Sequence, residues 1–333
     1  MTKFATYLHP QISDTAKPID QIDFVGFSAP HYSRLRQLLA DALTDYPVLP
    51  LREADLELFG AVHTAEYLEK LTRMAQGEQL AEPPKLSLEC TGFEYCLPGY
   101  RYGLGGMIEA IDQMKTGHLD RAFCMSFGGH HAYPDWGHGY CLLNPLAAAA
   151  RYAQGQGFNH ILMLDWDIHH GDGTQAIFAH DKHVYCISIH SAADLYMWKV
   201  AGIKHGTTTA GTQVGHCNIP ILHRLLQDSF AESTNLPGKF YRGEESLPAF
   251  RQSLDHLPWN PDLIMIFAGF DGHRDDCGKN ITDWDDDDFR RLTRFVVELS
   301  QQLGCPILSV QGGGYNLPVT LSATINHVAT LAG

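Results

Sequence analysis

Four short apolar runs, each emptying directly into a polar cluster, constrain this chain more than any other feature. AFCMSF (122–127) leads into Gly128-Gly129-His130-His131, and HILMLDW (160–166) into Asp167-Ile168-His169-His170-Gly171-Asp172-Gly173. LIMIFAG (263–269) leads into Phe270-Asp271-Gly272-His273, and PILSVQ (306–311) into Gly312-Gly313-Gly314-Tyr315-Asn316. A fifth run, VYCISIH (184–190), has the same character. Runs this continuous lack the alternation of a half-exposed strand. They predict strands covered on both faces, hence a parallel sheet between helices.

Helical spacing supplies the covering layers. SRLRQLLADAL from Ser33 to Leu43, HTAEYLEKLTRMA from His63, NPLAAAARYAQ from Asn144 and DDFRRLTRFVVELSQQL from Asp287 all read as helices. The glycine-rich GYRYGLGG is expected to lead into a helix only from Met107 to Lys115. Asp283 and the Asp285–Asp288 run, just before the last of these, read as a solvated helix cap. The stretch from Ser191 to about Pro248 follows no pattern that places elements. No repeat or linker divides the chain, so the expectation is one α/β domain over residues 1–333, with a central parallel sheet flanked by helices. Ligands of such sheets bind beyond the carboxyl ends of the strands, which is where all four polar clusters fall.

The residue types in those clusters suit a catalytic metal. Asp167 and His169, two apart on an expected strand extension, point to one side. With Asp271 they make three ligands and leave a position open, as catalytic rather than structural zinc requires. His130 and His131 suit proton transfer near neutral pH, Asp165 and Asp172 are the available carboxylates, and Tyr315 can donate its hydroxyl to an oxyanion.

Composition narrows the partners. The 333 residues carry 38 acidic side chains against 24 Lys and Arg, a formal charge of −14, which argues against a nucleic-acid partner. The same acidity is compatible with a cationic small substrate. Of eight cysteines without a C-x-x-C pair, most read as buried thiols of a reducing compartment. Without a secretory pattern at MTKFATYLHP or an apolar run of membrane-spanning length, a cytoplasmic protein with no membrane partner is expected.

Taken in order, GGHHA (128–132), GYC (139–141), DWDIHHGDG (165–173), SIH (188–190), AGFDGHRDD (268–276) and GGGYN (312–316) resemble the motifs of the histone deacetylase and acetylpolyamine amidohydrolase family, within the arginase-deacetylase superfamily. The resemblance implies one zinc per chain on Asp167, His169 and Asp271. It implies tandem pairs of His130 with Asp165 and His131 with Asp172, with His131 as general base and acid. Tyr315 would bind the amide carbonyl, and Gly139 and Tyr140 would line the acyl channel. It further implies potassium at Asp165, Asp167, His169, Ser188 and Ile189, partly through backbone oxygens. The substrate would be acetyl-lysine, an acetylated polyamine or another small acylated amine, and a homo-oligomer is compatible with the pattern.

The rim departs from the family. Ser126-Phe127-Gly128 replaces the usual arginine and prolines, SAADLYMWKVAGIKHG follows SIH, and Asp275-Asp276-Cys277-Gly278-Lys279 stands where many relatives have Asp-Pro-Leu-Gly. Asp275 and Asp276 are placed to attract a cationic substrate. His138, His190 and His273 read as structural or supporting, and His160, His180, His183, His205 and His216 as surface or packing residues. Two rival readings are an arginase-like hydrolase with two manganese ions and a metal-binding regulatory protein without turnover.

Overall fold

The computed structural model describes residues 2–13, 29–192, 216–226 and 240–333. Its central sheet has seven strands: β1 (Phe4–Tyr7), β3 (Arg121–Cys124), β5 (Ile161–Asp165), β6 (Val184–Ser191), β7 (His216–Ile221), β8 (Leu263–Ala268) and β9 (Ile307–Gln311). They are ordered β1-β3-β9-β8-β5-β6-β7, a parallel sheet flanked by helices. Two further short strands, β2 (Lys85–Leu86) and β4 (Trp136–Gly137), pair with each other. Every residue of the seven central strands is buried, as continuous apolar runs require.

The chain packs as two compact units. The first comprises Met1–Phe158, Asp172–Ile177 and Leu308–Gln311. It holds helices α1 (Ala29–Ala42), α2 (Ala65–Ala75), α3 (Leu97–Lys115), α4 (Pro145–Gly155) and nearly all of α5 (Asp172–Phe178). Helix α3 begins ten residues before the expected Met107 and absorbs the glycine-rich segment. The reason is packing. A Cβ on Gly103 would collide with Ser126, and one on Gly106 with the ring of Tyr7, so the helix approaches its neighbours only without side chains there. Close tertiary contact here overrides the weak helix propensity of glycine, and Pro98 sits harmlessly in the first turn.

The second unit comprises Asn159–Gly171, Phe178–Ile307 and Gly312–Gly333, with helices α6 (Gly243–Leu254), α7 (Asp286–Leu303) and α8 (Leu317–Ala332). Asp285 caps α7 by accepting from Asp287 N–H (3.0 Å) and Asp288 N–H (3.3 Å), while Asp288 accepts in return from Asp285 N–H (3.2 Å). The acidic run is therefore a reciprocal cap. Strand β7 lies in the stretch where sequence pattern placed nothing. Its HCNIPI contains a proline that cannot donate to a ladder, which suits the terminal position it occupies in the strand order. Positions 193–215 and 227–239, including His205 and most of the segment after SIH, lie outside the described residues.

Candidate active site

In the second unit the polar clusters following β5, β8 and β9 are brought together. Strand β5 stops at Asp165, earlier than the expected extension, so the pleat does not align Asp167 and His169. Nested side-chain to backbone bonds do so instead. Asp165 Oδ1 accepts from Asp167 N–H (3.0 Å), and Asp167 Oδ1 accepts from His169 N–H (3.0 Å). Asp271 Oδ1 accepts from Ile168 N–H (2.9 Å), which ties the cluster after β8 to the one after β5. From the cluster after β9, Gly313 N–H donates to Asp167 Oδ2 (2.7 Å).

These bonds leave His169 Nδ1 3.0 Å from both Asp167 Oδ1 and Asp271 Oδ2. The donor atoms of Asp167, His169 and Asp271 lie within 4.8 Å of one another. Both carboxylates are buried, whereas the His169 side chain is a quarter exposed, so the cluster opens on the imidazole side. Burial, followed by the charge of Asp167, pushes the Asp271 carboxyl well above its ordinary range. Two enclosed carboxylates facing one imidazole are an arrangement that a divalent cation would balance.

Tyr315 sits beside this cluster, its ring 6.0 Å from that of His169 in an edge-on arrangement. Its backbone is held by Asp276, whose Oδ2 accepts from both Tyr315 N–H and Asn316 N–H (2.8 Å each). Asp276 is thereby committed to positioning the tyrosine turn. Of the two acidic residues expected to face a cationic substrate, only Asp275 is well exposed. Cys277 follows on the same loop, and burial, then the Asp271 charge, pushes its thiol up to about 12.

In the first unit the tandem histidines are both buried, with ring centroids 4.1 Å apart. His131 Nδ1 lies 2.6 Å from Asp172 Oδ1, the pairing the family resemblance implied. Asp172 opens α5, and Thr174 N–H on that helix donates to His130 O (2.9 Å), fixing helix against loop. Burial opposes ionisation of Asp172, yet His131 and then His138 outweigh it and hold the carboxyl below its usual range. His130 and Asp165, the other implied pair, belong to different units.

The loop from His130 to Asn144 is stapled by residues that sequence pattern did not single out. His63 Nε2 accepts from Asn144 N–H (2.9 Å), so its Nδ1 carries the proton and donates to Tyr133 O (3.0 Å). Asn144 in turn caps α4 and donates from Nδ2 to Thr174 Oγ1 (2.9 Å). Gly139 and Tyr140 both have positive φ, 58° and 62°. A Cβ on Gly139 would run into the His131 ring, so this glycine backs the imidazole as well as shaping the turn. Tyr140 is a non-glycine residue in a strained conformation, a feature that clusters at functional sites.

The other histidines fall into supporting places. His170 Nε2 is 3.2 Å from Asn218 Oδ1, and its ring lies 4.2 Å from that of His190. His273 stacks on Phe289 near the start of α7. Asp165 and Ser188 are register partners on β5 and β6, with Ile189 next along the strand.

The histone deacetylase domain family matches residues 28–331. The chain belongs to the histone deacetylase family. It is 30% identical over 280 residues to histone deacetylase 6 of Caenorhabditis elegans, covering 80% of this chain but 27% of that protein. It is 28% identical over 267 residues to a histone deacetylase-like amidohydrolase of Pseudomonas aeruginosa, covering 77% of this chain and 62% of the relative. An uncharacterized Synechocystis protein is 28% identical over 285 residues, with 81% of this chain and 79% of that one covered. The chain thus spans most of the Synechocystis protein but about a quarter of the nematode one. The solved HDA15 HD domain shares the fold at a TM-score of 0.75 and 22% identity, covering 99% of this chain and 91% of that one. Family membership supports hydrolase activity of the deacetylase type. Among the described residues no helix is long and apolar enough to cross a membrane.

Proposed function

We propose that this protein is a zinc-dependent deacylase that hydrolyses the amide of an acetylated amine, an acetyl-lysine side chain or a small acetylated polyamine. The observation that carries the reading is the convergence of Asp167, His169 and Asp271 into one donor set open on one side. Two carboxylates and one imidazole fit zinc and leave room for substrate. A zinc ion held by these residues would supply Lewis acidity toward the amide carbonyl and toward water.

The chain's own residues do the rest. His131, its Nδ1–H held by Asp172, presents Nε2 as the group that takes a proton from water and returns it to the departing amine. The Tyr315 hydroxyl donates to the developing oxyanion, with Asp276 fixing the turn that carries it. Gly139 and Tyr140 flank the acyl chain. The whole of 1–333 is read as one catalytic domain because the family match runs over residues 28–331. Eight free cysteines, seven of them buried, suit a cytoplasmic enzyme.

Replacing Asp167 by Ala is the direct test. Metal content and hydrolysis of acetylated amines should be lost together, and full turnover in D167A would refute the ligand assignment. Comparing kcat/KM for acetyl-lysine peptides and acetylpolyamines then assigns the substrate class. Bound zinc with no turnover on either set would favour a regulatory protein.

A further inference from the structure

Asp172 is enclosed and has two oxygens to satisfy. His131 Nδ1 takes Oδ1 at 2.6 Å, and His138 Nε2 stands 3.1 Å from Oδ2. Neither the Asp172 nor the His138 side chain has any exposed surface. His138 is itself held rigidly. Its ring stacks on Trp136 with centroids 4.2 Å apart and an 18° tilt, and its carbonyl accepts from Cys141 N–H (2.9 Å). The His130 ring lies beside His131, Tyr133 approaches both His138 and Asp172, and the Glu89 carboxylate acts electrostatically on His138 from the neighbouring turn.

We propose that His138 is a positioning residue of the reaction, whose Nε2 faces the second oxygen of Asp172, shares the carboxylate's charge and so limits how strongly Asp172 holds a proton on His131. The inference rests on His131 being the proton-transfer group. An imidazole stands against each oxygen of the carboxylate, and the charge is shared between the two rings. With His138 removed, the buried carboxylate keeps the Tyr133 hydroxyl but loses one of its two imidazoles, and more of its charge draws on the His131 proton. His131 then stays protonated to higher pH, where a base must be free.

The test is 15N-histidine NMR of the zinc-loaded protein, following the His131 imidazole through a pH titration in wild type, H138A and H138Q. Glutamine carries an amide N–H at a similar reach. The His131 midpoint should rise by about half a unit or more in H138A and return toward wild type in H138Q, with zinc content unchanged in both. In parallel, kcat on an acetyl-lysine peptide or an acetylpolyamine should fall about tenfold or more in H138A, with KM little changed. A midpoint that stays put or falls in folded H138A overturns the proposal, as does loss of activity without any shift. If H131A abolishes turnover while H138A leaves the titration unmoved, only the positioning role fails. If H131A retains turnover, the reading of the base itself fails.

Discussion

His63 offers a quantitative test of how the catalytic loop is held. It is 4% exposed, and both ring nitrogens are engaged by backbone groups of that loop, at Tyr133 and Asn144. Burial, only partly opposed by the carbonyls of Tyr133 and Pro134, lowers its pKa from 6.5 to about 4. The sign follows directly. Below pH 6.5 the unfolded chain takes a proton that the folded protein refuses until pH falls to about 4, so folding stability drops across that window. Linkage with those two values gives a loss of about 2 kcal/mol between pH 7 and pH 5. His327, buried and lowered to about 3, contributes a similar loss over the same interval, about 2 kcal/mol. Together they remove about 4 kcal/mol from a stability that for ordinary domains is only about 5–15 kcal/mol.

Urea unfolding at pH 7, 6 and 5 measures this. His63→Gln should be less stable than wild type at pH 7, because one of two loop bonds is lost, yet its decline to pH 5 should be smaller by about 2 kcal/mol. An H63Q protein with the same pH 7 to pH 5 loss as wild type would refute the argument, since no titrating group remains at that position. His63 holds the loop that carries His131, so initial turnover should fall in acid before the protein unfolds globally.

Three further outcomes follow from named contacts. Gly313→Ala places a Cβ 2.6 Å from Asp167 Oδ2 and 2.7 Å from Asp271 Oδ2, and zinc affinity measured by calorimetry on the stripped protein should fall about tenfold or more. Asp276→Ala frees the backbone of Tyr315 and Asn316, so kcat should fall about tenfold or more with metal content intact. Tyr315→Phe should lower kcat with zinc still bound, and an unchanged rate would remove the hydroxyl from the mechanism.

Those contacts mark the boundary of what a linear reading reaches. The five apolar runs are legible because strands buried on both faces leave an uninterrupted signature; the rule about strand ends groups all four polar clusters, and those after β5, β8 and β9 meet in the second unit. The edge strands β1 and β7 are not legible, since four residues in one case and a proline in the other leave no such signature. Sequence alone reads helix α3 as short because glycine is a breaker, and the positions of Ser126 and Tyr7 explain why the helix needs glycine at 103 and 106.

The same division runs through the site. Asp167, His169, Asp271, His131 and Asp172 stand out by residue type and spacing, but the geometry that makes them a site comes from groups with no signal of their own: a backbone N–H at Gly313, the Asp276 carboxylate, the missing side chain of Gly139, the His63 staple. His138 is the sharpest case. One imidazole among 19 in the sequence, it is distinguished only by the carboxylate oxygen it stands against, a contact 34 residues away in the chain that no periodicity encodes. Chemistry-bearing residues are therefore readable from sequence, whereas the tautomer and orientation that make them act are properties of packing.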